Sequence, residues 1–261
     1  MSGKTKIWLV IAVVLVLVGG ILFGGALLTL GWNITNFSTE NYETNEYEIQ
    51  EEYKDISITT DTADIVFAPS EDEKTVVVCC EQENIEHTVV VEDGILIIKS
   101  VDTRKWYEHI GIIFRTSKIT VYVPQKEYDT ISVETSTGDV RISDVICGEV
   151  KIDVSTGEVE LTDIECQNLM SSGDTGDILL EHVLATGMFS IERDTGDIKF
   201  DSSDAAEIFV ETDTGDVTGT LLSEKIFYTE TDTGRIEIPQ TKSGGKCEIS
   251  TDTGDIKLNI K

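Results

Sequence analysis

The sequence predicts an all-β fold: a single-chain parallel β-solenoid with 19–20 residue coils, capped by a β-rich amino-terminal segment and preceded by one transmembrane helix. Three observations predict it. A D-T-G-D-[IV] corner recurs down the second half of the chain, apolar residues alternate at strand period on either side of it, and the segment from Ile7 to Trp32 carries no charged side chain.

The corner glycines are Gly138, Gly157, Gly176, Gly196, Gly215, Gly234 and Gly254, with successive spacings of 19, 19, 20, 19, 19 and 20 residues. Seven residues before them stand Ile131, Val150, Leu169, Phe189, Ile208, Phe227 and Cys247, all apolar. Two residues after them stand Val140, Val159, Ile178, Ile198, Val217, Ile236 and Ile256. Each repeat therefore reads as strand, tight turn, strand. One unit alone cannot bury its apolar face, but successive units stacked in parallel at about 4.8 Å turn each position into a continuous internal stripe. Asp and Thr bond nearby backbone, and Gly supplies the positive φ of a tight turn, so the motif is first of all a corner. An antiparallel meander is the alternative, and it accounts less well for one recurring kind of turn.

Before the repeats, Ile56 to Phe67 reads as one degenerate copy, with Ala63 in place of the glycine. Asp93-Gly94 between apolar runs is a hairpin signal. Residues 53–124 are read as the β-rich cap over the open end of the solenoid and 125–261 as the repeats, with Lys257 and Lys261 protecting the far edge. Residues 33–52, polar and acidic, are read as a linker.

Residues 7–32 are long enough to cross ~30 Å of hydrocarbon as a helix. Lys4 and Lys6 precede the segment while Glu40, Glu43, Glu46 and Glu48 follow it, so residues 1–6 are expected in the cytoplasm and everything after the anchor outside the cell. The segment exceeds the apolar core of a cleaved signal peptide, which favours a retained signal anchor; Gly24-Gly25-Ala26 leaves cleavage open.

The runs Ile56-Ser-Ile-Thr-Thr-Asp-Thr-Ala-Asp-Ile65, Asp93-Gly-Ile-Leu-Ile-Ile98 and Ile119-Thr-Val-Tyr-Val-Pro124, with the repeated Thr-Gly-Asp corners, carry a family resemblance. Across nearly all of residues 50–261 the chain resembles the bacterial putative-adhesin β-strand-repeat family, a domain of unknown function with LiaG-like relatives. The resemblance implies a β-solenoid displayed at the cell envelope, in an adhesive or envelope-stress role, and brings no catalytic residues.

Forty-nine acidic residues against twenty basic ones give a net charge of −29, which argues against nucleic-acid binding because phosphate recognition needs clustered Lys and Arg. The expected partners are the membrane, through the anchor, and an envelope polymer or protein. Stacking gathers the acids into columns. One holds Asp139, Glu158, Asp177, Asp197, Asp216 and Asp255, interrupted by Arg235; another holds Asp174, Asp194, Asp213, Asp232 and Asp252. Hard oxygen ligands at this density suit Ca²⁺, with Asp174, Asp177, Asp194, Asp197, Asp213 and Asp216 as candidate ligands. Against that, Asp in a turn is ordinary turn chemistry and the paired-glycine Ca²⁺ nonapeptide is absent. No other cofactor is expected.

Cys79, Cys80, Cys147, Cys166 and Cys247 lack zinc-ligand spacing, and His87, His109 and His182 are read as surface or cap residues. Cys147 and Cys166 should lie in register on adjacent coils, as a buried reduced pair. With carboxylates everywhere and no distinct pair, no catalytic residue stands out, and the reading is non-enzymatic: a membrane-anchored, adhesin-like surface module. An envelope-stress regulatory or sensing component is the alternative, and a polysaccharide-active enzyme stands behind both.

Overall fold

The structure is a computed structural model that describes residues 8, 9, 12–20, 25, 42–82, 85–102 and 117–261. It forms two compact units, one of Met1–Asn41 with Arg104–Arg115, the other of Tyr42–Thr103 with Thr116–Lys261. In the first unit the described residues are helical and exposed. They belong to the expected transmembrane segment, whose other residues lie outside the described set; among the described residues no helix is long and apolar enough to cross a membrane. His109 and the aromatic stretch around it also lie outside the described residues.

The second unit is all-β, a single 18-stranded sheet wound as a β-solenoid. Its strands run β1 (Tyr42–Ile49), β2 (Asp55–Pro69), β3 (Thr75–Gln82), β4 (Ile85–Glu92), β5 (Ile95–Asp102) and β6 (Ser117–Val123) at the amino-terminal end. The coils follow as β7 (Glu127–Thr137), β8 (Val140–Thr156), β9 (Val159–Ser172), β10 (Ile178–Glu181), β11 (Leu184–Thr195) and β12 (Ile198–Asp201). The last six are β13 (Asp204–Thr214), β14 (Val217–Leu221), β15 (Lys225–Thr233), β16 (Ile236–Glu237), β17 (Gly245–Thr253) and β18 (Ile256–Ile260).

The expected columns form. Ile131 pairs with Val150 and Val150 with Leu169, while Val140, Val159, Ile178 and Ile198 continue one another in parallel register. All of these side chains are buried. Nine layers at about 4.8 Å give a stack roughly 38 Å from first to last.

The order of layers departs from simple succession at both ends. β2 lies between β5 and β6 on one side and β7 and β8 on the other, so the degenerate copy is a full internal coil rather than part of a lid. At the far end, β17 pairs with β13 as well as β15, and β18 with β14 as well as β16. The carboxy-terminal coil is thus inserted between the two coils that precede it in sequence. Lys257 and Lys261 consequently protect no edge. The edge is β15 and β16, which explains why Phe227 is only partly buried and Ile236 exposed in otherwise buried columns. Arg235, Pro239 and a two-residue β16 are what blunt this edge.

The cap is antiparallel where the coils are parallel. β4 hairpins onto β5 through Asp93 and Gly94, both at positive φ as the sequence predicts. β3 pairs with β6 and β1 with β3, so residues 42–49 of the expected linker are a strand.

Four of the coils also have a second corner. Asp144, Asp163, His182 and Ser202, six residues beyond their glycines, take left-handed φ of 51–57°. Asp and His are among the non-glycine residues enriched in that conformation, which accounts for three of the four and leaves Ser202 as the exception. The extra residue in the 20-residue step from Gly176 to Gly196 is absorbed as a bulge between Ala185 and Met188, where the Met188 amide donates to Asn168 Oδ1 at 3.2 Å.

Candidate functional site

The Thr-Gly-Asp corners stack into two adjoining ladders. Along the glycine ladder, a Cβ on Gly157, Gly176, Gly196, Gly215 or Gly254 would stand 1.9–2.2 Å from the carbonyl oxygen of the glycine in the neighbouring coil. Close approach is therefore what every corner shares. Positive φ holds for Gly138, Gly157, Gly176 and Gly196 but is not general, which corrects the expectation that φ alone selects glycine. Ala63 is tolerated because its neighbour on that side is Ser117 of β6 rather than another corner.

Beside it runs a carboxylate ladder. Asp64 Oδ1 accepts the Asp139 amide at 3.1 Å, and Asp139 Oδ1 accepts the Glu158 amide at 3.1 Å. Asp177 does the same for Asp197 and Asp197 for Asp216, both at 2.8 Å. Asp216 then accepts from Asp255 at 2.7 Å and Asp255 from Arg235 at 2.8 Å. Arg235 thus does not interrupt the column; it ends it. Each amide offsets part of the repulsion between carboxylates one strand spacing apart.

These acids border a groove of about 340 Å³ lined by Glu158, Asp177 and Asp197 on one flank and by Glu160, Leu179, Lys199 and Thr218 on the other. At its upper end Arg141 bridges Asp139 at 3.1 Å and Glu160 at 3.1 Å. The groove presents acceptors, one cation and an apolar Leu179 at a strand-spaced repeat. That suits recognition of an extended, repetitive partner.

The six candidate Ca²⁺ ligands fall into two groups. Asp177, Asp197 and Asp216 belong to the ladder and spend one oxygen on an amide, while Asp174, Asp194 and Asp213 project from the preceding turn position; all six are exposed. Among the described residues, three donor atoms converge within 4.8 Å only at Cys79, Glu81 and His87, not at these aspartates.

Residues 53–261 match the Toastrack DUF4097 family. The chain belongs to that family. A putative adhesin from Bacteroides fragilis shares its fold, with 21% identity, a TM-score of 0.53, and coverage of 84% of this chain and 97% of that one. A putative cell adhesion protein from Clostridium sporogenes follows at 11% identity and a TM-score of 0.39, over 85% and 100% of the two chains. A putative lipid binding protein from Parabacteroides distasonis stands at 16% identity and a TM-score of 0.41, over 85% and 98%. No curated protein matches.

Three buried polar features of this Toastrack domain escape a reading by columns. Arg193 is 1% exposed; its Nη1 donates to Val154 O at 2.7 Å, while Nε and Nη2 find no partner among the described residues. It occupies a position held by Thr135, Val154 and Gly173 in the preceding coils, and Gly173 is small because the guanidinium lies where its Cβ would be. Lys225, also 1% exposed, pairs with Asp204 Oδ1 at 2.6 Å. The third is the cap cluster of Cys79, Glu81 and His87, all buried; His87 is a cap residue, one of the two places the sequence reading allowed it. Its sequence signal was available: Cys79 and Glu81 are two apart on one strand and so share a face. Cys147 and Cys166 do lie in register on adjacent coils, buried and unbridged, as expected.

Proposed function

We propose that this Toastrack protein is a non-enzymatic, membrane-anchored interaction module of the bacterial cell surface, and that its partner engages the groove along the carboxylate ladder. The observation that carries the proposal is that groove: acceptors at strand spacing, flanked by Leu179 and Lys199, on a rigid stack. Two further facts support it. Val13 to Val18 are helical, apolar and exposed, which suits a surrounding that takes up apolar surface. The Bacteroides fragilis protein of the same fold carries an adhesin description. On this reading the −29 charge gathers cations as a diffuse atmosphere over the ladders, and the partner is an envelope polymer or protein.

The test is retention of cells displaying the full chain on immobilised envelope material. The triple variant Asp177→Asn, Asp197→Asn, Asp216→Asn should lose retention while its melting temperature holds. Equal retention by the variant would retire the ladder as the contact face. In fractionation, the full chain should sediment with membranes and resist an alkaline wash, and deletion of residues 7–32 should release it.

A further inference from the structure

The cap holds a cluster that neither the corners nor the groove accounts for. β3 buries alternate residues, so Cys79 and Glu81 point to the same interior face, and β4 brings His87 to meet them from the facing hairpin. One donor atom from each of the three lies within 4.8 Å of the others. Glu81 is held from two sides. Its Oε1 accepts the His87 amide at 2.5 Å and meets His87 Nδ1 at 2.8 Å, and its Oε2 accepts Asn45 Nδ2 from β1 at 2.6 Å. Tyr47 of β1 donates to the His87 carbonyl at 3.3 Å. His87 Nε2, on a ring that is buried, has no hydrogen-bond partner among the described residues.

A buried imidazole nitrogen left unpartnered costs free energy unless something takes its lone pair or its proton. Thiolate, imidazole and carboxylate together form a mixed set that suits Zn²⁺, and three protein ligands match zinc sites with an open fourth position. In a tetrahedral site with bonds of about 2.0–2.3 Å, ligand atoms stand about 3.6 Å apart, so donors already within 4.8 Å close on a metal at Nε2 once Glu81 gives up its contact with Nδ1.

We propose that Cys79, Glu81 and His87 form a Zn²⁺ site that ties the β1–β3 side of the cap to the β4–β5 hairpin. Binding displaces the Cys79 thiol proton to solvent, and the metal–sulfur and metal–nitrogen bonds replace the Glu81–His87 contact as the link between β3 and β4. Burial, with the Glu81 carboxylate beside it, pushes the free thiol up to about 12, so without metal Cys79 stays protonated and inert. The cluster is separate from the acid ladders: its donors include sulfur and nitrogen and are buried, whereas the ladders offer oxygens only, exposed or half-buried.

The test is Co²⁺ titration of the reduced, chelator-treated full chain in excess Mg²⁺. One equivalent should bind with a thiolate-to-cobalt charge-transfer band, be displaced by one equivalent of Zn²⁺, and persist in Cys80→Ser, whose side chain lies on the opposite face of β3. The band should vanish in Cys79→Ser and in His87→Gln. Zinc X-ray absorption on the wild-type chain decides the matter should either variant misfold: one sulfur at about 2.3 Å with lighter neighbours is expected. No charge-transfer band in the folded wild-type chain, a band that survives Cys79→Ser, or a shell with two sulfurs, which would place the metal at Cys147 and Cys166, each overturns the site.

Discussion

Asp216 Oδ1 accepts the backbone amide of Asp255 at 2.7 Å across 39 residues of sequence. The corner of the last coil is therefore seated on a coil two repeats earlier, and the ladder passes through it to Arg235. One contact records both the chemistry of the corner and the order of the layers.

If the ladder acids act chiefly as amide acceptors, their charge is dispensable and their oxygen is not. Asp197→Asn retains an acceptor for Asp216 and removes a repelling charge, so its melting temperature at low salt should equal or exceed that of the parent. Asp197→Ala should cost about 1 kcal/mol in denaturant unfolding. Ca²⁺ and Mg²⁺ at equal ionic strength should stabilise the corners alike.

Gly176→Ala places a methyl 2.0 Å from Gly157 O, a backbone atom held in the stack on both sides. The coils must part, and the expected loss is about 3 kcal/mol or more by urea titration. Ala63→Gly, by contrast, should cost no more than about 1 kcal/mol, since that position already accommodates its methyl.

Lys225 and Asp204 form a pair whose side chains are 2% and 12% exposed. Asp204→Ala leaves a buried ammonium with the Ser223 hydroxyl as its one remaining partner among the described residues and should cost about 3–5 kcal/mol. Arg193 is the opposite case. Its charge is already buried without a carboxylate in contact, and burial pulls its pKa down against the pull of Asp153 and Asp174. Arg193→Met should be neutral or stabilising by about 1 kcal/mol in the same titration.

Burial pushes the thiols of Cys147 and Cys247 up to about 12 and that of Cys166 up to about 11, from an ordinary value near 9. A raised pKa means that the folded state holds its proton more tightly than the unfolded one. The contribution is fully present below pH 9 and is lost as the pH climbs through the 11–12 range. Melting temperatures should fall across that window, and less steeply in Cys147→Ala/Cys166→Ala. Below it, thiol reagents should modify half-exposed Cys80 long before the other four.

The internal columns, the corners and the Asp93-Gly94 hairpin were legible because each is written at a fixed offset from a glycine or in a two-residue turn. The layer order was not. Corners at 208–215, 227–234 and 247–254 carry nearly the same motif, so any of them satisfies the pattern of its neighbour, and local alternation cannot say which two coils touch. The Glu81–His87 contact was hidden for a related reason: it depends on two strands facing across the interior, which strand period alone does not specify. Arg193 was missed because a charged residue in a column that holds Thr135, Val154 and Thr212 reads as an outward register unless the vacancy beside it, Gly173, is read with it.

The inserted last coil also sets a timetable for the chain as it is made. β13 and β14 present an open edge when they first form, and the coil that follows them in sequence does not occupy it; the partner is residues 245–261, made after that coil. Completion of the far end therefore waits until residues 245–261 have emerged, and a chain halted before residue 245 should keep two unsatisfied strand edges and be cleared or aggregate.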